Sequence, residues 1–200
     1  MPAADGLSMA LPQVIVLNGT SSSGKSALAR ALQEQLPEQF INFSIDSVLY
    51  GLPASDLARM QRGEPIDRAG YSWTALVRGY HYALPSLLQA GLKLIVDNAW
   101  CEAEETQELL TELAGYPVTL VAVHCDAAIL AAREAARGDR APGLSAWELP
   151  RVHAWMDYDL QIDTSTISAD DAAAQLVAQL VDGPPTSGAA ATLVRLQQRG

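Results

Sequence analysis

Short apolar runs alternate along this chain with longer stretches in which apolar residues recur every three or four positions. Val14-Ile15-Val16-Leu17 is the first run and reads as a buried strand over 13–18. A stretch rich in helix formers follows over 25–36 and closes at Pro37. Phe40 to Ile45, β-branched and aromatic, reads as a second strand ending at Asp46-Ser47. Gly51, Pro53, Gly63, Pro65 and Gly70 punctuate the next segment, with room for one short helix over 54–62. Trp73, Leu76, Val77, Tyr80, Leu84 and Leu88 keep a helical period over 73–90, where Pro85 marks a kink or a division.

The same alternation continues to the C-terminal side. Leu92 to Val96, Pro117 to Val123 and Tyr158 to Asp163 read as strands. Helices are expected over 103–114, 127–136, 145–155 and 168–181. Five strands alternating with helices predict an α/β fold, a parallel five-stranded sheet covered by helices on both faces in three layers. In such sheets ligands bind at the carboxyl ends of the strands. Asp46, Asp97 and Asp126 all fall at expected strand ends.

One domain is expected over 13–182, with a lead-in over 1–12. The Gly-Pro-Pro-Thr-Ser-Gly stretch after Asp182 reads as a linker, and 189–199 as a short helix in the tail. The net charge of −10 argues against a nucleic-acid partner and against an anionic membrane surface. Met1 to Gln13 lacks the basic and apolar blocks of a secretory signal, and no apolar run is long enough to span a membrane. Cys101 and Cys125 give no disulfide framework and no metal-site spacing, which fits a reducing cytoplasm.

The chemistry begins at Gly19-Thr20-Ser21-Ser22-Ser23-Gly24-Lys25-Ser26. This is G-x-x-x-x-G-K-[ST], the phosphate-binding loop of P-loop nucleotide enzymes, with the strand before it and the helix after it that the motif requires. The glycines let backbone N–H groups converge on an anion at the helix N-terminus. Lys25 is expected to reach the β- and γ-phosphates of ATP, and the Ser26 hydroxyl to bind Mg²⁺.

Other residues suggest where the γ-phosphoryl goes. Asp46 after strand 2 is the candidate general base for an acceptor hydroxyl, against the plainer reading of a helix cap. Asp97, closing an apolar strand, is the candidate partner of the magnesium ion. Arg133, Arg137 and Arg140 form the densest basic cluster in an acidic chain and read as a lid near 137–146 that neutralises the transferring phosphoryl. Helix-end placement and the neighbours Glu134 and Asp139 supply the competing surface reading. Glu102, Glu104 and Glu105 read as a dipole-suited first turn, and Trp73, Tyr80 and Tyr82 as core packing in preference to an aromatic pocket. The D-x-x-G switch that a GTPase carries after a strand is not met at Asp97-Asn98-Ala99-Trp100, and no N-K-x-D occurs.

These segments resemble the chloramphenicol 3-O-phosphotransferase family. The resemblance spans about 13–165 and is carried by Leu17 to Ser26, Phe43-Ser44-Ile45-Asp46-Ser47, Leu94-Ile95-Val96-Asp97, and Cys125-Asp126 through Arg133-Glu134-Ala135-Ala136-Arg137-Gly138-Asp139-Arg140. It implies a nucleoside-monophosphate-kinase-like fold and transfer of the ATP γ-phosphoryl to a hydroxyl of a small molecule, chloramphenicol in the family itself. It also implies Asp46 as base and Arg133, Arg137 and Arg140 as lid arginines. Asn98 departs from the family, which commonly has a second acidic residue there. Two alternatives remain: a metabolic kinase for a sugar, a shikimate-like acid or a nucleoside, and a non-catalytic ATP sensor. Arg59, Arg62, Arg68 and Arg78 keep an anionic acceptor open.

Overall fold

A computed structural model describes residues 11–137, 141–183 and 186–199. Its sheet has five strands: β1 Val14–Asn18, β2 Ile41–Asn42, β3 Leu94–Asn98, β4 Val118–His124 and β5 Leu160–Asp163. Their spatial order is β2-β3-β1-β4-β5, and all pairs are parallel. β1, which feeds the phosphate loop, is therefore central. Its residues alternate between faces, as the pleat requires. Ile15 and Leu17 join Leu28, Leu32, Leu176 and Leu180 on one face. Val14 and Val16 join Tyr80, Leu84, Leu109 and Leu110 on the other.

Nine helices lie among the described residues: α1 Lys25–Gln35, α2 Ile45–Leu49, α3 Ala54–Gln61, α4 Trp73–Gln89, α5 Ala103–Glu112, α6 Ala127–Arg137, α7 Leu144–Glu148, α8 Ala169–Val181 and α9 Gly188–Gln197. α1 and α8 cover the first face, and α4, α5 and α9 the second. The expected three-layer α/β architecture is the one observed. None of the described helices is long and apolar enough to cross a membrane.

Three elements differ from expectation. β2 stops at Asn42, and Ile45 opens α2 instead of closing the strand. Ser44 takes an extended conformation (φ −96°, ψ 168°) and serves as N-cap, so Asp46 stands in the first turn of a helix. The β-branched Ile45 is buried in the second core as a helical residue, which run-reading cannot distinguish from a strand end. Pro85 lies within α4 without dividing it. The helix expected over 145–155 ends at Glu148. Pro150 has no N–H to continue the ladder, and turns carry the chain onward. The tail segment holds α9, packed on α5 and β4.

Candidate active site

The phosphate loop leaves β1 at Gly19, where the backbone presses against β4. A Cβ at Gly19 would lie 2.4 Å from the Val123 carbonyl oxygen, so only glycine fits. Ser22 and Gly24 both take positive φ, 63° and 93°, turning the loop into the start of α1. Lys25 arches back over the loop, its Nζ donating to the carbonyls of Gly19 and Thr20 at 2.7 Å each. The hydroxyls of Ser22 and Ser23 are buried and have no partner among the described residues. Buried polar atoms are normally satisfied, so these two hydroxyls keep bonding capacity in reserve within the loop.

The neighbouring strand ends supply oxygen and order. Register pairs Leu17 with Asp97 across β1 and β3. Asp97 is buried, and its Oδ2 accepts from Ser26 Oγ at 3.2 Å. Asn98 follows it on the same strand, opposite Asn18. Asn18 itself was no sequence candidate. Its Oδ1 accepts from the Trp100 N–H (3.0 Å), and its Nδ2 donates to the Val152 carbonyl (2.7 Å) and the Tyr158 hydroxyl (2.8 Å). One buried side chain thus ties the root of the phosphate loop to the exit of β3 and to the turns before β5. The only sequence signal for it is a polar residue ending an apolar strand.

Trp100 continues this chain of contacts inward. Its indole N–H donates to His81 Nε2 at 3.1 Å, and His81 Nδ1 sits 2.9 Å from Glu108, which also accepts from Arg78. With Nε2 accepting, Nδ1 carries the proton and donates to Glu108. Burial pulls the His81 pKa down against the pull of Glu108. His153 packs on His124 with ring centres 4.4 Å apart, and its Nδ1 is 2.8 Å from the Tyr158 hydroxyl. Burial, then His124 and Lys25, lowers the His153 pKa to about 4.

α6 approaches the loop from the opposite side. Arg133 donates to the Thr164 carbonyl at 2.8 Å, with longer contacts to the Ser23 carbonyl and to Cys125 Sγ. Thr164 Oγ1 donates to the same Ser23 carbonyl at 2.6 Å. Arg133 is therefore bonded to the rear of the phosphate loop. Arg137, one turn on, lines the open space in front of it. Gly138, Asp139 and Arg140 lie outside the described residues. Glu134 accepts from Ser145 N (3.1 Å), Ser145 Oγ (3.1 Å) and Gly143 N (3.3 Å), which fixes the start of α7 to α6. At the other end of α7 the buried Glu148 accepts from Ser21 N at 2.5 Å.

Two clefts meet at the phosphate loop. The larger, about 700 Å³, brings together Lys25, Ser26, Asp46, Asp97 and Arg137, residues widely separated in sequence. Its outer walls carry Leu57 and Met60 of α3, Trp73 of α4 and Trp147 of α7. The smaller, about 500 Å³, runs behind Gly24 between Arg133 and Arg137 on one side and Thr164 and Ile167 on the other. Ser22 and Gly24 border both. Trp73 thus faces the cleft, whereas Tyr80 is fully buried in the core and Tyr82 is exposed. Glu105, expected only as a helix-dipole residue, lines the cleft together with Glu102. Burial raises the Glu105 pKa, opposed by a hydrogen bond from Trp73.

A phosphate loop at the carboxyl end of a central parallel strand, facing a cleft with carboxylates and an arginine, defines the class of P-loop kinases. The fold agrees: an adenylyl-sulfate (APS) kinase of Mycobacterium tuberculosis, solved with AMPPNP and APS, superposes with a TM-score of 0.62 at 18% identity, covering 86% of this chain and 99% of that one. A gluconokinase of Sinorhizobium meliloti superposes at 0.56 and 21% identity, covering 94% and 95%, and a tunicamycin resistance protein of Deinococcus radiodurans at 0.59 and 19%, covering 86% and 96%. Within that class the chain belongs to the chloramphenicol phosphotransferase-like family, which matches residues 12–181. A Mycobacterium tuberculosis protein provisionally named an O-phosphotransferase is 29% identical over 180 residues, covering 82% of this chain and 80% of its own. The protein is accordingly an ATP-dependent O-phosphotransferase, a kinase whose acceptor is an alcohol group.

Proposed function

We propose that the protein moves the γ-phosphoryl of ATP onto a hydroxyl of a small molecule bound in the larger cleft, with Asp46 as the general base. The observation that supports this most is the placement of Asp46 in the same cleft as Lys25, Ser26, Asp97 and Arg137. In this reading the triphosphate lies along the loop, where the Ser22 and Ser23 hydroxyls and the amides before α1 receive it. The nucleoside occupies the smaller cleft, and the acceptor the larger. Asp46 takes the proton of the acceptor hydroxyl as its oxygen bonds to the γ-phosphorus and the bond to the ADP oxygen breaks. Arg137 and Lys25 balance charge on the moving phosphoryl group.

Ser26 Oγ and Asp97 Oδ2, 3.2 Å apart, are oxygen donors of the kind that hold Mg²⁺ directly or through its water. The ion, when bound, neutralises charge on the β- and γ-phosphates. Arg133 acts at one remove in this scheme, holding Ser23 and Thr164 so that the rear of the loop keeps its shape. The two free thiols, Cys101 and Cys125, support a cytoplasmic setting.

The test is ADP release by the purified protein across a panel of hydroxylated antibiotics and metabolites, with chloramphenicol in the panel because the family bears its name. Stimulation together with a phosphorylated product by mass establishes the acceptor. Asp46→Asn is expected to lower transfer by roughly 10²–10⁴-fold, the usual contribution of a general base, with ATP binding retained; near-normal turnover rules Asp46 out. Lys25→Ala is expected to weaken both ATP binding and transfer. ATP binding with no acceptor-dependent ADP release from any compound would favour the sensor reading. A shikimate-like acid fits this cleft poorly. Arg59, Arg62, Arg68 and Arg78 are paired with Asp67, Glu64, Asp56 and Glu108.

A further inference from the structure

The acceptor half of the larger cleft has a charge of its own. Its wall is built by α2 to α5 and the turns between them, and it presents Asp46, Glu102 and Glu105 with no lysine or arginine among the described lining residues. The cations that do line the cleft are Lys25 in the phosphate loop, Arg30 on α1 one turn beyond Ser26, and Arg137 on α6. Lys25 and Arg137 belong to the side that receives phosphate, since Arg137 borders both clefts. Every arginine between residues 50 and 90 is turned into an ion pair away from this wall.

Aromatic rings complete the wall. Tyr50 and Trp73 are exposed, at 61% and 42%, and both border this cleft, whereas Trp147 on α7 already has the Arg151 guanidinium 4.6 Å from its ring centre. Water-facing rings beside carboxylates form the environment that recognises an ammonium group, through the ring quadrupole and through charge. Glu105 concentrates both features. It is partly buried and lines the same cleft as Trp73. Burial and the like charges of Glu102, Glu104 and Glu108 all work against its ionisation. A ligand cation relieves that repulsion. The helix-dipole preference explains acids in the first turn of α5; it does not explain why one of them lines the same cleft as an exposed indole.

We infer that the acceptor is a cationic amphiphile, a hydroxylated molecule that also bears a protonated amine, with the amine beside Glu105 and Trp73 and the hydroxyl toward Asp46. The inference rests on the kinase reading above and narrows its acceptor. It separates this protein from kinases of anionic acids and makes an uncharged antibiotic a secondary substrate.

Three probes of nearly equal size test it: phenylglycinol (ammonium), styrene glycol (uncharged) and mandelate (carboxylate). Each is titrated by ligand-observed NMR into the full chain carrying AMPPNP and Mg²⁺. Phenylglycinol is expected to bind about tenfold more tightly than styrene glycol, the ratio that one modest charge and ring contact supplies, and mandelate most weakly. Glu105→Gln is expected to abolish most of the amine preference while leaving AMPPNP affinity unchanged. Absence of phenylglycinol binding, equal binding of phenylglycinol and styrene glycol, stronger binding of mandelate, or a preference untouched by Glu105→Gln each overturn the inference and leave the kinase reading standing. Failure of AMPPNP itself to bind overturns both.

Discussion

Asn18 satisfies three separate segments with one amide. Asn18→Ala strands the Trp100 N–H in the interior, leaves the Val152 carbonyl only the 3.4 Å contact from the Tyr158 hydroxyl, and removes a partner of that hydroxyl. With about 1–3 kcal/mol for each buried group left unsatisfied, a loss of roughly 2–4 kcal/mol is expected, read from the urea midpoint at unchanged slope. Nucleotide affinity should fall as well, because Gly19 is the next residue. Gly19→Ala meets the Val123 carbonyl at 2.4 Å and must displace β4 or the loop. Cys101 gives a contrasting case. It lines the cleft but is nearly buried, and burial followed by the charge of Glu148 pushes its thiol up to about 12. It should therefore resist thiol reagents in the native protein and react only on unfolding, which mass spectrometry of alkylated peptides reads directly.

At the scale of elements, α7 is a short strut between α6 and the phosphate loop. Glu134 on α6 binds its first turn, and Glu148 at its last turn holds Ser21. Glu134→Ala removes three hydrogen bonds at once. It is expected to loosen α7 and so raise the acceptor KM, because Leu144 and Trp147 line the cleft. α9 belongs to the body of the protein. Thr192 Oγ1 accepts from Asp157 N at 2.8 Å, Arg195 pairs with Asp157 at 2.9 Å, and Gly188 N donates to Asp159 at 2.8 Å. A chain ending at Asp182 should melt at lower temperature yet keep its nucleotide affinity in the folded fraction, since α9 borders neither cleft. α2 shows how element boundaries escape local reading. Phe40 to Ile45 has strand composition, but the edge strand β2 has one neighbour, and Ser44 offers a cap that turns the chain into helix.

At the scale of the whole molecule, the buried His81 and the partly buried His153 should make stability fall in acid. The folded pKa of His153 is lowered from 6.5 to about 4 by burial, His124 and Lys25, so the unfolded chain binds the extra proton first. Stability from this group is complete above pH 6.5 and declines as pH falls toward 4. His81, lowered mainly by burial, acts in the same direction. Thermal melts across this range should show the decline, and His153→Gln should flatten it. A slope identical to the parent protein would assign the acid sensitivity to other groups.

Local physics made the sheet order of strand and helix, the phosphate loop and its lysine legible in the sequence. A run of Val14 to Leu17, a glycine loop and a helix start are decided by neighbours a few residues away. Asp46, Asp97 and Arg137 were legible as residue types at expected strand or helix ends, but only the folded chain brings them into one cleft. The surroundings of Arg133, Asn18 and Glu105 come from residues that sequence does not adjoin: Ser23 and Thr164 bond the first, Trp100 and Val152 the second, and the third lines a cleft together with Trp73. The four arginines between 50 and 90 make the same point, since their charge was visible but their pairing was not. Backbone periodicity and turn chemistry by themselves determined the class of fold and the place of the glycine loop between β1 and α1. The direction each charged side chain faces, and with it the character of the larger cleft, was decided only by tertiary packing, because burial and charge pairing are properties of surfaces that the chain brings together from a distance.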